Sequence, residues 1–490
     1  MILEMKLPEN VKKIVDALIE NGYEAYAVGG CVRDSLLNRT PKDWDITTSA
    51  LPEQVKEIFP HTVDTGIKHG TVTVMLNRVG YEVTTYRIDG KYEDMRHPSE
   101  VSFTKSLSED LLRRDFTINA MAYNEKDGLV DLFGGQEDLK NGIIRCVGDP
   151  GARFDEDALR ILRAFRFSAQ LGFTVEKDTK NAAAARVQNL QKVSAERIRD
   201  ELCKLILSKN PDRLFDAMDA GVTAVVLPEF DTLVRGGQDA KGLKGVLSGN
   251  ASSGMRAVKA VSLAGNKDLT DLKDLTAKEE LILKWAALLS EYADTDVFKE
   301  DIENFTEERG GEKPEDKYRA VSLTGQSEAA EEKKRTGIRN VMNRFKFDNE
   351  TRDMVVRLVG LHNKKPVFVN DVSMRQLLRR NGEETVKLLF ELQSAQCLAE
   401  SFVSVGGINV GSVKTLEKIK KAKETVKTVI ERGDCYSIRQ LAVNGRDLIE
   451  AGIDEGSKVG ETLEFLLDKV IADQSLNDRE KLINIACLNY

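Results

Sequence analysis

Two carboxylates, Asp43 and Asp45, stand one residue apart shortly after the pair Gly29-Gly30. Side chains alternate along an extended segment, so residues i and i+2 point the same way. Two hard oxygen donors held side by side are the kind of ligand set that suits Mg²⁺. Gly29-Gly30 closes an apolar run, Ala25 to Val28, and leads into Cys31 to Leu37, which reads as the first turns of a helix. A backbone free to turn sharply, followed by unpaired N–H groups at a helix start, makes a seat for phosphate, and Arg33 adds positive charge to it. Each feature alone is commonplace, since a Gly-Gly is usually a turn and an Asp-x-Asp usually a solvated pair. Together, in the order strand, Gly-Gly, helix, strand, Asp-x-Asp, they imply nucleotidyl transfer.

Further along, Glu82 lies in an alternating strand and is a candidate third carboxylate, equally readable as a solvated strand residue. Arg113-Arg114-Asp115 could be a plain surface ion pair. The stretch Phe154 to Arg166 has helical period: Ala158, Ile161, Leu162, Phe165 and Ala169 share one stripe, and Asp157, Arg160 and Arg163 fall on the other side. Such a ribbon is often only a solvated charged face. It also matches a chemical need. Cytosine and adenine both present an exocyclic amine beside a ring nitrogen acceptor, so a carboxylate such as Asp157 can accept from the amine while Arg160 donates to the ring. Uracil and guanine reverse that polarity and leave the protein groups unpaired.

Tyr26-Ala-Val-Gly-Gly-Cys-Val-Arg-Asp34 with Lys42-Asp-Trp-Asp-Ile-Thr47 resembles the signature of the polymerase-β-like nucleotidyltransferases. More narrowly, it is similar to the bacterial tRNA nucleotidyltransferase and poly(A) polymerase family. The resemblance extends over Asp110 to Ala122, Phe154 to Arg166 and Lys192 to Lys204, so it is dense from residue 23 to about 210. It implies that Asp43 and Asp45 hold Mg²⁺, and that Gly29, Gly30, Arg33 and Arg114 position the triphosphate. Asp115 and Asn119 would fix the local geometry, Asp157 and Arg160 would select the base with Arg163 and Arg166 assisting, and the 192–204 helix would brace the base-reading helix. The implied reaction is addition of C and A to the 3′ end of tRNA from CTP and ATP. An enzyme adding only the terminal A, a poly(A) polymerase, or an inactive RNA-binding relative are the alternatives. The run Thr65 to Val74 looks more like the tRNA enzymes. The charged segment 87–98 matches a flexible loop needed for adding the terminal adenosine.

The resemblance implies, and the elements read from the sequence fit, an α+β catalytic head of polymerase-β-like type followed by all-α neck, body and tail. The expected boundaries are 1–148, 149–235, 236–400 and 401–490. An amphipathic helix over 8–21, a helix over 52–59 and a hairpin of Thr71–Leu76 with Tyr81–Tyr86 around Asn77–Gly80 frame the site. Residues 235–256, rich in Gly and Ser, read as a boundary. In the second half, Ser290-Glu291 and His362-Asn363 stand where the resemblance would place His-Asp pairs of a phosphohydrolase. Only one of the four histidines lies beyond residue 97, so that activity is not expected. The charge-dense stretch 299–336 reads as solvated surface, and Val443–Gly452 with Gly456–Gly460 resembles a tail that holds tRNA.

Composition sets the outer limits. A chain of 490 residues is too long for one core. Hydrophobic content of 41% with 31% charged residues fits a helix-rich globular protein. The six cysteines lack paired spacing, so neither disulfides nor a zinc site is indicated. Without a signal-like start or an 18-residue apolar run, the expected location is the cytoplasm. A net charge of −8 argues against broad coating of a polyanion, leaving the local basic clusters at 113–114 and 153–166 to dock one RNA end.

Overall fold

The computed structural model describes residues 5–90, 101–235, 250–264, 275–293, 323–364, 369–403 and 410–489. Two compact units divide the chain, Met1–Asp231 and Thr232–Tyr490. Most of the charged segment expected to form a loop over 87–98, and parts of 235–256 and 299–336, lie outside the described residues.

The first unit is built on a sheet. Helix α1 (Glu9–Glu20) turns Val11, Ile14, Val15 and Leu18 inward, the stripe its period demands. Strand β1 (Ala25–Val28) is buried on both faces, as an unbroken apolar run should be. Helix α2 (Gly30–Leu36), β2 (Ile46–Thr48), α3 (Pro52–Ile58), β3 (Thr62–Gly66), β4 (Thr71–Leu76) and β5 (Val79–Thr85) follow. Next come a small ribbon of β6 (Arg87–Asp89) and β7 (Val101–Phe103), helix α4 (Leu107–Leu112), then β8 (Met121–Asn124) and β9 (Gly128–Asp131). The main sheet runs β3-β4-β5-β2-β1-β8-β9. All its pairings are antiparallel except β2 with β5, where Ile46 sits opposite Val83. The β4–β5 turn is tighter than its sequence suggests. Asn77 and Arg78, both with positive φ (51° and 65°), make the two-residue connection, a backbone twist that matches the strands it joins.

Helices then take over: α5 (Gly135–Asn141), α6 (Pro150–Glu156), α7 (Leu159–Leu171), α8 (Lys177–Arg186) and α9 (Ala195–Ile206). Between them β10 (Ile143–Ile144) and β11 (Thr174–Val175) pair in parallel, a two-residue ladder inside a region otherwise helical. The stretch expected as one helix over 154–166 is broken. Asp157 takes an extended conformation (φ −138°, ψ 102°) and ends α6, and α7 begins after it. Its carboxylate accepts from the Leu159 N–H at 3.0 Å, capping the new helix. Ile161, Leu162, Phe165 and Ala169 are fully buried as the stripe requires.

The second unit is all helical among its described residues, with long members over Ala277–Ala293, Leu323–Arg344, Asn349–Leu361, Glu383–Val403 and Val410–Glu431. Trp285 anchors one core against Phe345 and Phe347, at ring distances of 5.5 and 5.3 Å. A separate apolar core gathers Leu448, Leu466, Val470 and Leu482. Among the described residues no helix is long and apolar enough to cross a membrane.

Candidate active site

Strand β1 delivers its C-terminal end to the centre of the site. There Gly29 turns with φ +82°, its N–H donating to the Met121 carbonyl at 3.1 Å, and α2 starts at Gly30. Asp43 and Asp45 do not lie in β2 as the alternation suggests but in the extended lead to it. The Asp45 carbonyl accepts from the Val28 N–H at 3.0 Å, which pins the carboxylates beside the glycine turn.

Both aspartates are open to solvent. The protein packed behind Asp45 strips part of its hydration and lifts its carboxyl above the ordinary 3.8; the Arg114 charge opposes the rise and the Asp43 charge adds to it. Two like-charged, hard oxygen donors crowded at a surface suit a divalent cation, whose charge would relieve their repulsion. Glu82 is exposed on β5, one residue before Val83, the partner of Ile46. Among the described residues no three His, Cys, Asp or Glu side chains gather closely enough to hold a metal. Asp43, Asp45 and Glu82 therefore do not close into a three-carboxylate cluster here.

Arg114 reaches the same spot from the end of α4. Its Nη2 donates to Asp110 Oδ2 at 3.3 Å, while its buried Nε makes no hydrogen bond. Burial pushes its pKa down, and Asp110 works in the opposite sense. Asp110 is itself fully buried, also binding Arg113 twice (2.9 and 2.8 Å) and Thr47 (3.1 Å). One end of the Arg114 fork is thus anchored and the other faces the turn: a Cβ on Gly29 would lie 3.0 Å from its Nη1 and 3.7 Å from the Asn119 carbonyl. Gly29→Ala therefore has to strain a positive-φ residue and push the guanidinium aside. We expect it to weaken nucleotide binding about tenfold or more, since left-handed strain alone costs about 1–2 kcal/mol. Calorimetric titration with a nucleoside triphosphate checks this, and unchanged affinity contradicts it.

Arg33, on α2, donates to Asn119 Oδ1 at 2.7 Å and pairs with Asp34 at 2.8 Å. Asn119 in turn donates to Asp115 Oδ1 (3.0 Å), and Arg163 binds Asp115 Oδ2 through Nε and Nη2 (2.9 and 2.6 Å). Burial would raise the Asp115 pKa, but Arg163 and Asn119 hold it down to about 2. Arg166 pairs with Glu201 of α9 at 2.5 Å. The side chains of the two residues expected to read the base, Asp157 and Arg160, are not paired with each other. Asp157 accepts from Arg197 (2.8 Å), and Arg160 donates to Glu156 (2.6 Å) and the Arg113 carbonyl (2.9 Å).

Arg197, Glu201, Asp110 and Phe167 were not singled out by sequence. Glu201 carried a signal: it falls three residues after buried Ile198, on the apolar stripe of α9. Asp110 carried another, three and four residues before two arginines.

Residues 25–145 match the family described as "Poly A polymerase head domain", and 172–233 match "Probable RNA and SrmB- binding site of polymerase A". Residues 330–486 match a family described as domain 2 of tRNA nucleotidyltransferase. The chain belongs to the tRNA nucleotidyltransferase and poly(A) polymerase family. It is 53% identical over 214 residues to the CCA-adding enzyme of Ligilactobacillus salivarius, covering 43% of this chain and 53% of that protein. It is 51% identical over 233 residues to that of Lactobacillus helveticus, covering 47% and 58%. The chain thus spans little more than half the length of these curated relatives. The crystal structure of the Bacillus stearothermophilus CCA-adding enzyme in complex with CTP is similar over 99% of this chain and 98% of that one, at a TM-score of 0.65 and 28% identity. The Thermotoga maritima enzyme complexed with tRNA is alike in fold, at 0.55 and 20%. The two solved structures align with both the sheet-bearing head and the helical remainder described above.

In the second unit, Ser290 is buried and donates to the Ala286 carbonyl, Glu291 pairs with Arg256 at 3.1 Å, and the His362 ring is buried at 2.6 Å from the Val359 carbonyl. Ser290 and His362 are thus engaged with helix backbone, and Glu291 with an arginine.

Proposed function

We propose that this chain is a CCA-adding tRNA nucleotidyltransferase, extending the tRNA 3′ end with C and A from CTP and ATP and releasing pyrophosphate. The observation that carries the reading is the meeting of Asp43 and Asp45 with the Gly29 turn and the Arg114 fork on one wall. Asp43 and Asp45 would hold Mg²⁺, which when bound lowers the charge of the triphosphate and favours the attacking 3′ oxygen. Gly29 and Gly30 let the triphosphate approach the backbone, and Arg33 and Arg114 neutralise it while setting its α-phosphorus in line. Glu82, on the neighbouring strand β5, would be a further acid of the site. On the base side Asp157 keeps lone pairs for an exocyclic amine while Arg197 fixes its orientation, and Arg160 supplies the donor to the ring nitrogen, with Arg163 and Arg166 behind it. No template strand is needed because the protein groups themselves discriminate. The head (1–148) performs the chemistry, the neck (149–235) reads the base, and the body (236–400) and tail (401–490) hold the tRNA, in the cytoplasm.

The test is extension of tRNAs ending before CCA, after C and after CC, with CTP and ATP separately and together. Full CCA on the shortest substrate is the expected result. Addition of A alone, only to the CC-ended tRNA, would make this an A-adding enzyme; no extension with Mg²⁺ and bound tRNA would overturn the assignment.

A further inference from the structure

One aromatic ring in the first unit is surrounded by three guanidinium groups. Phe167 is buried on α7, with Arg166 at 3.7 Å, Arg33 at 5.1 Å and Arg163 at 5.3 Å from its ring centroid. Phe116 meets it edge-on at 5.7 Å. A cation within about 6 Å of a ring face is attracted to it, more strongly where water is excluded. Three like charges would repel one another, yet each has its own carboxylate: Asp34 for Arg33 (2.8 Å), Asp115 for Arg163 (2.6 Å) and Glu201 for Arg166 (2.5 Å).

The ring therefore sits where α2, the turn after α4, α7 and α9 converge. Arg33 belongs to the helix behind the Gly29-Gly30 turn, and Arg163 to the helix that Asp157 begins. A second route joins the same two arginines, from Arg33 through Asn119 and Asp115 to Arg163. The phosphate side and the base side are thus linked twice, once by hydrogen bonds and once across an aromatic face.

We propose that Phe167 is a positioning residue whose ring sets Arg33 against Arg163, so that grip on the triphosphate and choice of base are coupled through it. This rests on the nucleotidyl-transfer reading above and adds a specificity determinant to it. An aliphatic side chain can fill the same volume but offers no π face, so packing and coupling are separable by substitution.

The 490-residue wild-type chain, F167M and F167Y are compared for kcat and KM with CTP and UTP on tRNA ending before CCA, alongside thermal melting. F167M is expected to lower the preference for CTP about tenfold, mainly through KM, while F167Y stays within about threefold of wild type. F167M with full preference and wild-type KM would overturn the proposal. Should F167M fail to fold, the R33K and R163K double-mutant cycle is run in an N119A background, where the hydrogen-bonded route is cut and the ring is left to join the two arginines: strong non-additivity in CTP preference supports coupling through Phe167, and independent effects refute it. Calorimetric binding of CTP and UTP makes the same comparisons without turnover. A wild-type chain that binds selectively but adds no nucleotide counts against the activity, not against the coupling.

Discussion

Asp45→Asn is expected to lower nucleotide addition by about a thousandfold or more, equivalent to about 4 kcal/mol of transition-state stabilisation. The substitution keeps the shape of the side chain and the backbone bond from Val28 to the Asp45 carbonyl, so the loss should lie in kcat rather than in folding. A thermodynamic signature of opposite sign should accompany it. The Asp45 pKa is raised in the folded, metal-free chain, so the native state holds that proton more tightly than the unfolded one. Its contribution to stability is fully present below the ordinary 3.8 and is lost as pH rises through the elevated value. At neutral pH the metal-free D45N protein should therefore melt no lower than wild type, and divalent ions should stabilise wild type alone. A metal-free D45N protein melting well below wild type would mean that the carboxylate serves the fold, not the chemistry.

The second large effect is structural. Asp115→Ala removes the acceptor of Phe116 N–H, Asn119 and both Arg163 donors, leaving Arg163 without its main partner. Breaking a buried pair in this way costs about 3–5 kcal/mol, and the lower end applies because Arg163 keeps a third of its surface in water. Calorimetry should show a fall in melting temperature of roughly 6–12 °C for a unit of this size. The pH dependence is conventional in sign: the Asp115 pKa lies at about 2 against an ordinary 3.8, so its stabilisation is complete above 3.8 and is lost as pH falls through 2. The wild-type advantage over D115A should shrink across that window. A constant difference would place the loss in packing instead of charge.

Much of this arrangement was legible in the sequence, for reasons that differ by element. The strand, Gly-Gly and helix order followed from an apolar run stopped by glycine, and the α7 stripe followed from period alone, because both signals are local. The break at Asp157 was not legible, since helical spacing continues through it and only the cap from its side chain to Leu159 interrupts the backbone. Asp43 and Asp45 were assigned to a strand that begins one residue after Asp45; their place beside the glycine turn comes from the bond between Val28 N–H and the Asp45 carbonyl, a contact the sequence does not show. The partners Arg197 and Glu201 approach from a helix some forty residues away in sequence, and only the fold brings them in. Ser290 and His362 stand where the resemblance would place metal-binding pairs, and both are buried against helix backbone.

The capped break at Asp157 also shapes how this position can change. From either aspartate codon a single nucleotide change reaches Asn, His, Tyr, Gly, Ala, Val or Glu. Of these, Asn and Gly are the residues favoured at a helix cap, and neither carries the charge that Arg197 holds. Glu keeps the charge on a longer arm unsuited to the cap. Every one-step substitution thus gives up either the bend or the ion pair, so neutral drift at this codon has no open first step.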